Sequence, residues 1–503
     1  MKINKPWLAT ILGAQLAFTS LAADGATDAN RDADIEALKQ QINALSQKVE
    51  ALENQRMTER QAATNIANGQ IQELDQKVRV LARERELDQE AAAAAAKTAP
   101  KLSIGSSGLI ASSANSNFVF SLKGLLQVDS RTFFDGSGAK GNDGFLLRRA
   151  RPIFQGTVYR DFDFLFAPDF GGSSVQIFDA YINYRHEPWA QLRVGKFKAP
   201  VGLELLESDA NTAFNERSLA SDLVPGRDLG VELWGDVNDG VLSYAAGIFN
   251  GVGDSRNSSN TNLDNNLDFV GRLFALPFKN SDIAALQNLG FGVAGSSGYV
   301  SKSANGLPSA TGGTLPGYTT AGLQQFFAYN PATGVVVADG NHWRLSPQGY
   351  YYFGPLSLLG EYAISDQGVR KGAATAHLHN TAWGITGGWL LTGENAAFAG
   401  GVTPLHSFDP RKNEWGAWQV VARYSELDID QDAFPIFSNP STSASAAQAW
   451  SVGLNWFLNK NIRVNTSYSR TTFTGGGGAG TTAPAVTTRQ PESVFFTRLQ
   501  LAF

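Results

Sequence analysis

The chain has 503 residues, a formal net charge of −5 and a mean hydropathy of −0.17, which is too polar for a helical membrane protein of this size. It contains 52 Gly, 31 Phe and 10 Trp but only 17% charged residues, and this weak acidity does not point to a nucleic-acid partner. The absence of cysteine excludes thiol chemistry, iron–sulfur clusters and cysteine-ligated zinc.

The first 23 residues have the pattern of a secretory signal peptide. Lys2 and Lys5 precede an apolar run at residues 7–18, and small residues follow it. We expect cleavage after Ala22 or Ala23, which places the mature chain outside the cytoplasm. An exported chain without disulfides fits a protein whose stability comes from a closed hydrogen-bonded ladder of strands.

Residues 24–100 are predicted to form a periplasmic α-helical coiled coil and a linker. Apolar residues recur at heptad spacing in two stretches, and a polar interruption at residues 56–68 breaks the phase between them. The heptad residues are Ile35, Leu38, Ile42, Leu45, Val49, Leu52, Ile71, Leu74, Val78 and Leu81. We therefore predict two short coiled-coil segments with a stutter, and a helix end after the alanine tract at residues 91–96. The alternative is a single amphipathic helix packed on the following domain.

From residue 118 onward the apolar period changes from 3.5 to 2, which is typical of strands with one apolar face. Segments bounded by turns give sixteen strands that begin near residues 118, 145, 161, 175, 189, 226, 240, 265, 288, 341, 355, 378, 415, 447, 461 and 490. Short turns alternate mostly with long loops, as in outer-membrane barrels. We therefore predict an all-β domain over residues 101–503, a 16-stranded antiparallel transmembrane β-barrel with both ends in the periplasm.

Two connections of this predicted barrel are unusual. Residues 391–414, between strands twelve and thirteen, should form a short periplasmic turn but are long. Either the strands are miscounted there or the segment folds into a useful place such as the lumen. The third external loop, residues 198–226, carries many charges, and we hypothesise that it folds inward to narrow the channel; an exposed, solvated loop is the alternative.

Arginines alternate with apolar residues in several predicted strands. Because an arginine on the lipid face costs about 2–4 kcal/mol at the bilayer midplane, we expect these side chains to point into the lumen. They are Arg193, Arg272, Arg423, Arg463 and Arg498. In the dense run near residue 150, Arg149 and Arg151 share one face, whereas Arg148 fits only near the rim or at a bulge. Guanidinium rows hold oxyanions bidentately, although porin lumens of any selectivity can pair arginine rows with acidic loops.

The last predicted strand alternates in the same way. Leu499, Leu501 and Phe503 fall on one face, and Arg498 and Gln500 fall on the other. We interpret this segment as the strand that closes a membrane barrel, with a soluble edge strand as the alternative. Its final Phe503 resembles the sorting signal of outer-membrane barrels.

Five segments, spread in order over residues 118–503, resemble the phosphate-selective porin O/P family. They are LRRARPIFQG (147–156), RVGKFKAPVGLE (193–204), NERSLASDLVPGRDLGVEL (215–233), GWLLTGE (388–394) and GAWQVVARYSELDID (416–430). The resemblance implies a trimeric, sixteen-stranded channel of the bacterial outer membrane whose constriction is lined by inward-folded loops. It also implies an arginine ladder that guides anions, without a cofactor or a metal.

The resemblance assigns pore-lining, anion-binding roles to eight residues, which are Arg149, Arg151, Arg193, Lys196, Lys198, Arg217, Arg227 and Arg423. The implied solutes are inorganic anions such as phosphate or polyphosphate. The family's tightest phosphate binders place several lysines at the constriction, whereas this chain offers chiefly Lys196 and Lys198 near the third loop. A general anion or small-solute porin therefore stays open as the alternative function.

Two other functional classes, an outer-membrane enzyme and a structural tether, fit the sequence less well than a channel. An outer-membrane enzyme would need a nucleophile with a histidine partner, but only five histidines exist and no G-x-S-x-G motif is present. His377 and His379 share a strand face without a third metal ligand nearby. A structural tether that contacts the cell wall or another periplasmic partner through the coiled coil would not explain the arginine rows.

Overall fold

The computed structural model describes residues 28–134, 141–172, 174–258, 265–300, 315, 317–329, 334–478 and 488–503. The expected signal peptide lies outside these ranges. The chain divides between Ala96 and Lys97 into a helical unit and a β unit.

The helical unit is one unbroken helix, α1 (Asp28–Thr98), of 71 residues. The interruption at residues 56–68 changes the heptad phase but does not end the helix, because it consists largely of good helix formers. All ten heptad residues keep between 50% and 65% of their surface exposed within the chain. The helix ends just before Ala99 and Pro100, since the residue before a proline disfavours the helical conformation. None of the described helices combines the length and apolar character needed to cross a membrane.

The β unit contains twenty strands and a one-turn helix, α2 (Leu203–Leu206). The strands are β1 (Lys101–Gly105), β2 (Gly108–Ser112), β3 (Phe118–Phe133), β4 (Gly144–Val158), β5 (Phe162–Asp169), β6 (Gln176–Glu187), β7 (Ala190–Lys198), β8 (Arg227–Val237), β9 (Leu242–Phe249), β10 (Asp268–Ala275), β11 (Leu289–Val300), β12 (Tyr318–Thr319), β13 (Gln325–Phe327), β14 (Val337–Phe353), β15 (Leu356–Lys371), β16 (Ala374–Leu390), β17 (Ala417–Asp428), β18 (Ala444–Phe457), β19 (Ile462–Gly475) and β20 (Glu492–Ala502).

Sixteen of these strands form a closed antiparallel barrel. The main sheet has 18 strands, of which β1 and β2 are a hairpin that extends the edge of β3. The other sixteen pair in chain order, and β20 closes the ring on β3 with Arg498 opposite Asp129. The predicted sixteen-stranded antiparallel barrel with an N-terminal helix is confirmed, and the coiled coil stays a prediction. The β1–β2 hairpin was not predicted, because its five-residue strands are too short to show a clear period.

Side chains alternate between an apolar outer face and a polar inner face. In β18, Trp450 and Val452 are 41% and 48% exposed on the outside, whereas Ser451 between them is 2% exposed. In β7, Leu192 and Val194 are likewise exposed on either side of the partly buried Arg193. An apolar exterior around a polar interior is typical of transmembrane barrels.

The third long connection, residues 199–226, crosses the inside of the barrel and is called the inner loop below. It includes α2 and a short 3-10 helix at Leu219–Leu223. The Ala213 carbonyl accepts hydrogen bonds from Asn455 of β18 and Asn465 of β19, at 3.1 and 2.9 Å. Because the loop leaves β7 and reaches β18 and β19, it occupies the lumen, as hypothesised.

The connection between β16 and β17, residues 391–416, also enters the barrel, and we call it the lower segment. The Ala396 N–H donates to the Gly354 carbonyl at 2.8 Å. Phe398 stacks on Tyr350, with ring centroids 4.9 Å apart, and packs with the buried Leu203 of the inner loop. The strands were therefore not miscounted. Phe398 of this unusual connection reaches the inner loop in the lumen, whereas Phe408 packs on the outward-facing Trp456 of β18.

Candidate functional site

A bulge in β4 turns two consecutive arginines toward the lumen. Gln127 pairs with Arg149 and Val128 with Leu147, which leaves Arg148 as the extra residue. The Arg148 guanidinium contacts the Glu216 carboxylate of the inner loop through its Nε and Nη2 atoms, at 2.7 and 2.9 Å. Of the two expected places for Arg148, near the rim or at a bulge, the structure shows a bulge.

The carboxylate of Asp209, on the inner loop, is surrounded by guanidinium groups. Its nearest partners are Arg217 at 2.6 Å and Arg151 at 2.8 Å. Arg149 follows at 3.5 Å and Arg227 at 3.8 Å. Four of the eight predicted residues thus meet at one carboxylate, and we call these five residues the Asp209 cluster.

Two further carboxylates share the charge of this cluster. Asp169 pairs with Arg151 at 2.7 Å, and Asp179 pairs with Arg227 at 3.1 Å. Four guanidinium groups therefore face three carboxylates, which leaves a formal excess of one positive charge. The Lys198 ammonium lies beside the cluster and donates to the Glu207 carbonyl at 2.7 Å.

Stacking fixes two of the guanidinium planes. Arg151 and Arg227 each lie over the ring of Phe178, with the guanidinium carbon 4.4 Å from the ring centroid. Such cation–π contacts hold a guanidinium in place without using its N–H donors. The N–H donors of both side chains are thereby left to carboxylates, those of Arg151 to Asp169 and Asp209 and that of Arg227 to Asp179.

A second group surrounds Glu216. Besides Arg148, this carboxylate meets Arg131 at 3.0 Å and Arg498 at 3.6 Å. Arg498 is also bound bidentately to Asp129, at 2.6 and 2.8 Å. Three arginines thus face two carboxylates, which again leaves a formal excess of one positive charge.

The inner loop also contacts arginines of β17 and β19. Arg423 donates to the Glu204 carboxylate at 3.3 Å and to the Glu216 carbonyl at 2.7 Å. Arg463 donates to the Thr212 carbonyl at 3.1 Å and makes no ion pair within the described part of the chain. Both arginines point inward, as their strand pattern predicted.

The other two predicted residues lie outside the Asp209 cluster. Arg193 faces Glu232 at 3.6 Å and lies over the Tyr181 and Trp234 rings. The Lys196 ammonium donates to the Ser258 carbonyl at 2.6 Å. Strict alternation would place these two side chains on opposite faces.

Both Arg193 and Lys196 are nevertheless largely buried, and Gly195 between them has a φ of +135°. A Cβ at Gly195 would lie 2.2 Å from the Ala180 carbonyl oxygen, so only glycine fits this irregularity of the strand.

Charge lowers the pKa of the central carboxylates. Burial by itself would raise the pKa of Asp209, but the surrounding guanidinium groups, Arg149 foremost, hold that pKa well below its usual range. Burial acts on Glu216 in the same direction, and Arg148 outweighs it, so the pKa of Glu216 is also lowered. Both carboxylates are therefore ionised near neutral pH.

One buried ionic group near the long-loop end of the barrel was not predicted. Arg344 donates to Asp254 at 2.6 Å, and Ser365 donates to the same carboxylate at 2.7 Å. Tyr318 also donates to Asp254, and His342 lies 2.8 Å from Asp268. Alternation along β14 could have placed Arg344 inside, but nothing in the sequence links it to an aspartate in another loop.

The arrangement is chemically a set of oxyanion-binding groups. Within the described residues, no group of three or more His, Cys, Asp and Glu side chains is arranged to hold a metal ion. Planar guanidinium groups on fixed strands can hold carboxylate or phosphate oxygens in pairs. In this chain those oxygens belong to its own carboxylates, Asp209, Asp169 and Asp179.

Comparisons with known proteins agree with this description. A family model described as phosphate-selective porin O and P matches residues 120–503. The chain is similar to Porin O of Pseudomonas aeruginosa, with 25% identity over 398 residues that cover 72% of this chain and 84% of that protein.

Two solved structures are also similar. One is the outer membrane channel DcaP of Acinetobacter baumannii, with 10% identity, a TM-score of 0.48, and coverage of 77% of this chain and 98% of that chain. The other is an anion-selective porin from Comamonas acidovorans, with 10% identity, a TM-score of 0.46, and coverage of 77% and 100%.

Proposed function

The chain belongs to the phosphate-selective porin O and P family and is an outer-membrane porin rather than an enzyme, and from this premise we propose that it forms an anion-selective diffusion channel. The favoured solutes are phosphate and polyphosphate. The arginines that point into the lumen guide them.

The Asp209 cluster is the observation that carries this proposal. It combines four guanidinium groups from β4, β8 and the inner loop with an excess of positive charge. The inner loop crosses the lumen beside these strands, and we infer that a permeating ion passes along the guanidinium groups. Anions gain hydrogen bonds there that replace part of their hydration, whereas cations meet repulsion.

Arginines outside the Asp209 cluster lie at other depths of the lumen and extend the proposed path of the anions. Arg131 and Arg148 lie toward the long-loop end, Arg423 lies near the middle, and Arg193 and Arg463 lie toward the short turns. These guanidinium groups come from several strands and lie at different depths, so neighbouring sites can exchange an ion without a single deep minimum. Conduction needs binding of this kind, strong enough for entry and weak enough for release.

The second candidate is a general anion porin without phosphate specificity. It is favoured by the carboxylates within each arginine group, since Asp209, Asp169 and Asp179 already neutralise most of the Asp209 cluster. The lysines that the chain offers near the inner loop are chiefly Lys196 and Lys198.

Planar-bilayer recording distinguishes these functions. The reversal potential in a potassium chloride gradient should favour chloride, and a cation-favouring value would refute the anion channel. Phosphate and then pyrophosphate, added at constant chloride, should lower the chloride current. If neither added ion changes the current, the general anion porin is the correct description.

We further propose that the porin is a homotrimer whose α1 helices form a periplasmic coiled coil. The ten heptad residues of α1 keep half or more of their surface exposed in a single chain, and neighbouring copies would bury them. The alternation of β-branched residues and leucine would by itself favour a dimer, so cross-linking of purified protein must establish the number of copies. The coiled coil also offers a surface to the cell wall or to another periplasmic partner.

Topology gives a direct test of this placement. An even number of strands puts both ends of the barrel on one side of the membrane, and that side is the periplasm in the proposed orientation. A tag at residue 30 should therefore resist surface labelling in intact cells and become accessible after the outer membrane is permeabilised. Labelling of intact cells would show that the orientation is reversed.

A further inference from the structure

Asp209 lies where a bound anion would lie. Its side chain is 3% exposed, and its two oxygens meet Arg217 and Arg151 at hydrogen-bonding distance, with Arg149 and Arg227 behind them. Asp169 and Asp179 sit at the edge of the same group and each pairs with only one of the four arginines. Asp209 is therefore the central anion of the cluster.

The main chain around Asp209 is held independently of this carboxylate. The Gln127 side chain donates to the Asp209 carbonyl at 2.9 Å, and the Asn211 N–H donates to the Ser208 carbonyl at 2.8 Å. Arg217 is anchored by further bonds to the carbonyls of Glu204 and Glu207. A rotation of the Asp209 side chain alone would consequently vacate the centre of the cluster.

We propose that the Asp209 carboxylate is a tethered anion that occupies the central guanidinium site of the lumen, so that a permeating phosphate binds only by displacing it. This inference rests on the proposed anion-selective function. It adds that a residue of the chain itself, and not only the guanidinium groups, sets the affinity for oxyanions.

Displacement explains how such a site can conduct. Four arginines without a carboxylate between them would hold a divalent phosphate tightly and slow its release. A carboxylate on the same loop acts at a high effective concentration, because it can leave and return without diffusing away. It therefore lowers the apparent affinity for the permeating ion and helps to expel that ion. The native channel should bind phosphate weakly, at millimolar rather than micromolar concentrations.

The test measures the phosphate concentration that halves the chloride current through single channels in a planar bilayer. Asp209→Asn keeps the shape of the side chain but removes its charge. It should lower the half-blocking concentration about ten- to a hundredfold, the value of one charge-assisted hydrogen bond. Asp209→Glu, which keeps a tethered carboxylate, should stay close to the native value.

Asp179→Asn is the matched control. It removes the same charge from the same arginine group but leaves the centre occupied, and it should change the half-blocking concentration much less than Asp209→Asn. Equal effects of the two variants would mean that added positive charge alone matters, and that result would overturn the tethered-anion proposal.

Other outcomes separate this inference from the proposed function. A native channel that prefers chloride but is blocked by micromolar phosphate upholds the anion channel and refutes the tethered anion, and this measurement needs no variant. An unchanged block in Asp209→Asn, or in Asp209→Ser if the asparagine variant fails to assemble, refutes it as well. A native channel that prefers potassium refutes the proposed function itself.

Discussion

The lumen contains two segments that are held in different ways. The inner loop is held by ion pairs as well as by apolar packing, since Glu204, Asp209 and Glu216 each face one or more arginines of the barrel or the loop, and Leu219 and Leu223 are buried in the main apolar cluster. The lower segment is bound by apolar and main-chain contacts, chiefly Phe398 on Tyr350 and the Ala396 N–H on Gly354.

The ion pairs of the lower segment stay within it. Asp409 pairs with Arg411 and Lys412, and His406 lies near Glu414. The difference between the two segments separates two properties of a channel. We expect the inner loop and its arginines to determine which ions pass, and the lower segment to determine how much space they have. Variants of each segment should therefore change one property without the other.

The largest change of ion selectivity is expected from Arg149→Ala combined with Arg151→Ala. The pair supplies half of the guanidinium groups of the Asp209 cluster, and its loss leaves Asp209 and Asp169 with fewer cations. The reversal potential in a chloride gradient should move strongly toward cations. The control is Arg160→Ala with Arg185→Ala, which removes two charges from exposed positions. If both double variants keep the native selectivity, the arginines of β4 do not select ions.

Glu216→Gln should act in the opposite direction. The change removes a negative charge that Arg131, Arg148 and Arg498 share, so anion preference should rise. Breaking a buried ion pair at one partner typically costs about 3–5 kcal/mol, and the temperature at which the barrel unfolds in detergent should fall. A variant with lowered anion preference would contradict the charge-based role of the inner loop.

Phe398→Ala should affect conductance and leave selectivity unchanged. Truncation removes the ring that packs between Tyr350 and Leu203, at a cost of about 1–3 kcal/mol for a partly buried apolar side chain. The lower segment should loosen, and single-channel conductance should increase. Phe145→Ala, at a site that is 87% exposed, is the control and should leave the single-channel conductance unchanged. A shift of the reversal potential in Phe398→Ala would show that the two properties are not separate.

The smallest change of ion selectivity is expected from a change of pH. Burial, aided by Glu204, raises the pKa of Glu207 in the inner loop to about 7. Below pH 7 this group becomes neutral, the lumen loses a negative charge, and anion preference should increase; above pH 7 it should decrease. Reversal potentials at pH 6 and pH 8.5 measure the change, and Glu207→Gln should reduce it. An identical pH response in that variant would assign the titration to other groups.

The sequence predicts the barrel well because its physical signal is local. Each strand has to present apolar residues to lipid on alternate positions, so period and turns are enough to place all sixteen strands near their observed starts. The same alternation placed Arg423, Arg463 and Arg498 inside. The β1–β2 hairpin escaped because it is short and lies outside the closed ring.

The site is predicted less completely, because its partners come from distant parts of the chain. Strand patterns indicated Arg149 and Arg151, and the family resemblance added Arg217 and Arg227, but neither pointed to Asp209 as their common partner. Acidic residues of the inner loop were visible as a group without an assigned place. Side-chain period carries no information on how a loop folds inside a barrel, and only the three-dimensional contacts of the loop supply it.

The seam between β20 and β3 has a consequence for assembly. Arg498 and Asp129 lie opposite each other there, and both are almost fully buried. A slip of one residue between the first and last barrel strands would turn a charged side chain toward lipid and separate the pair. Wrong closures of the ring are thus penalised by electrostatics as well as by lost apolar contacts. The ion pair therefore favours the correct register between β20 and β3 when the barrel closes.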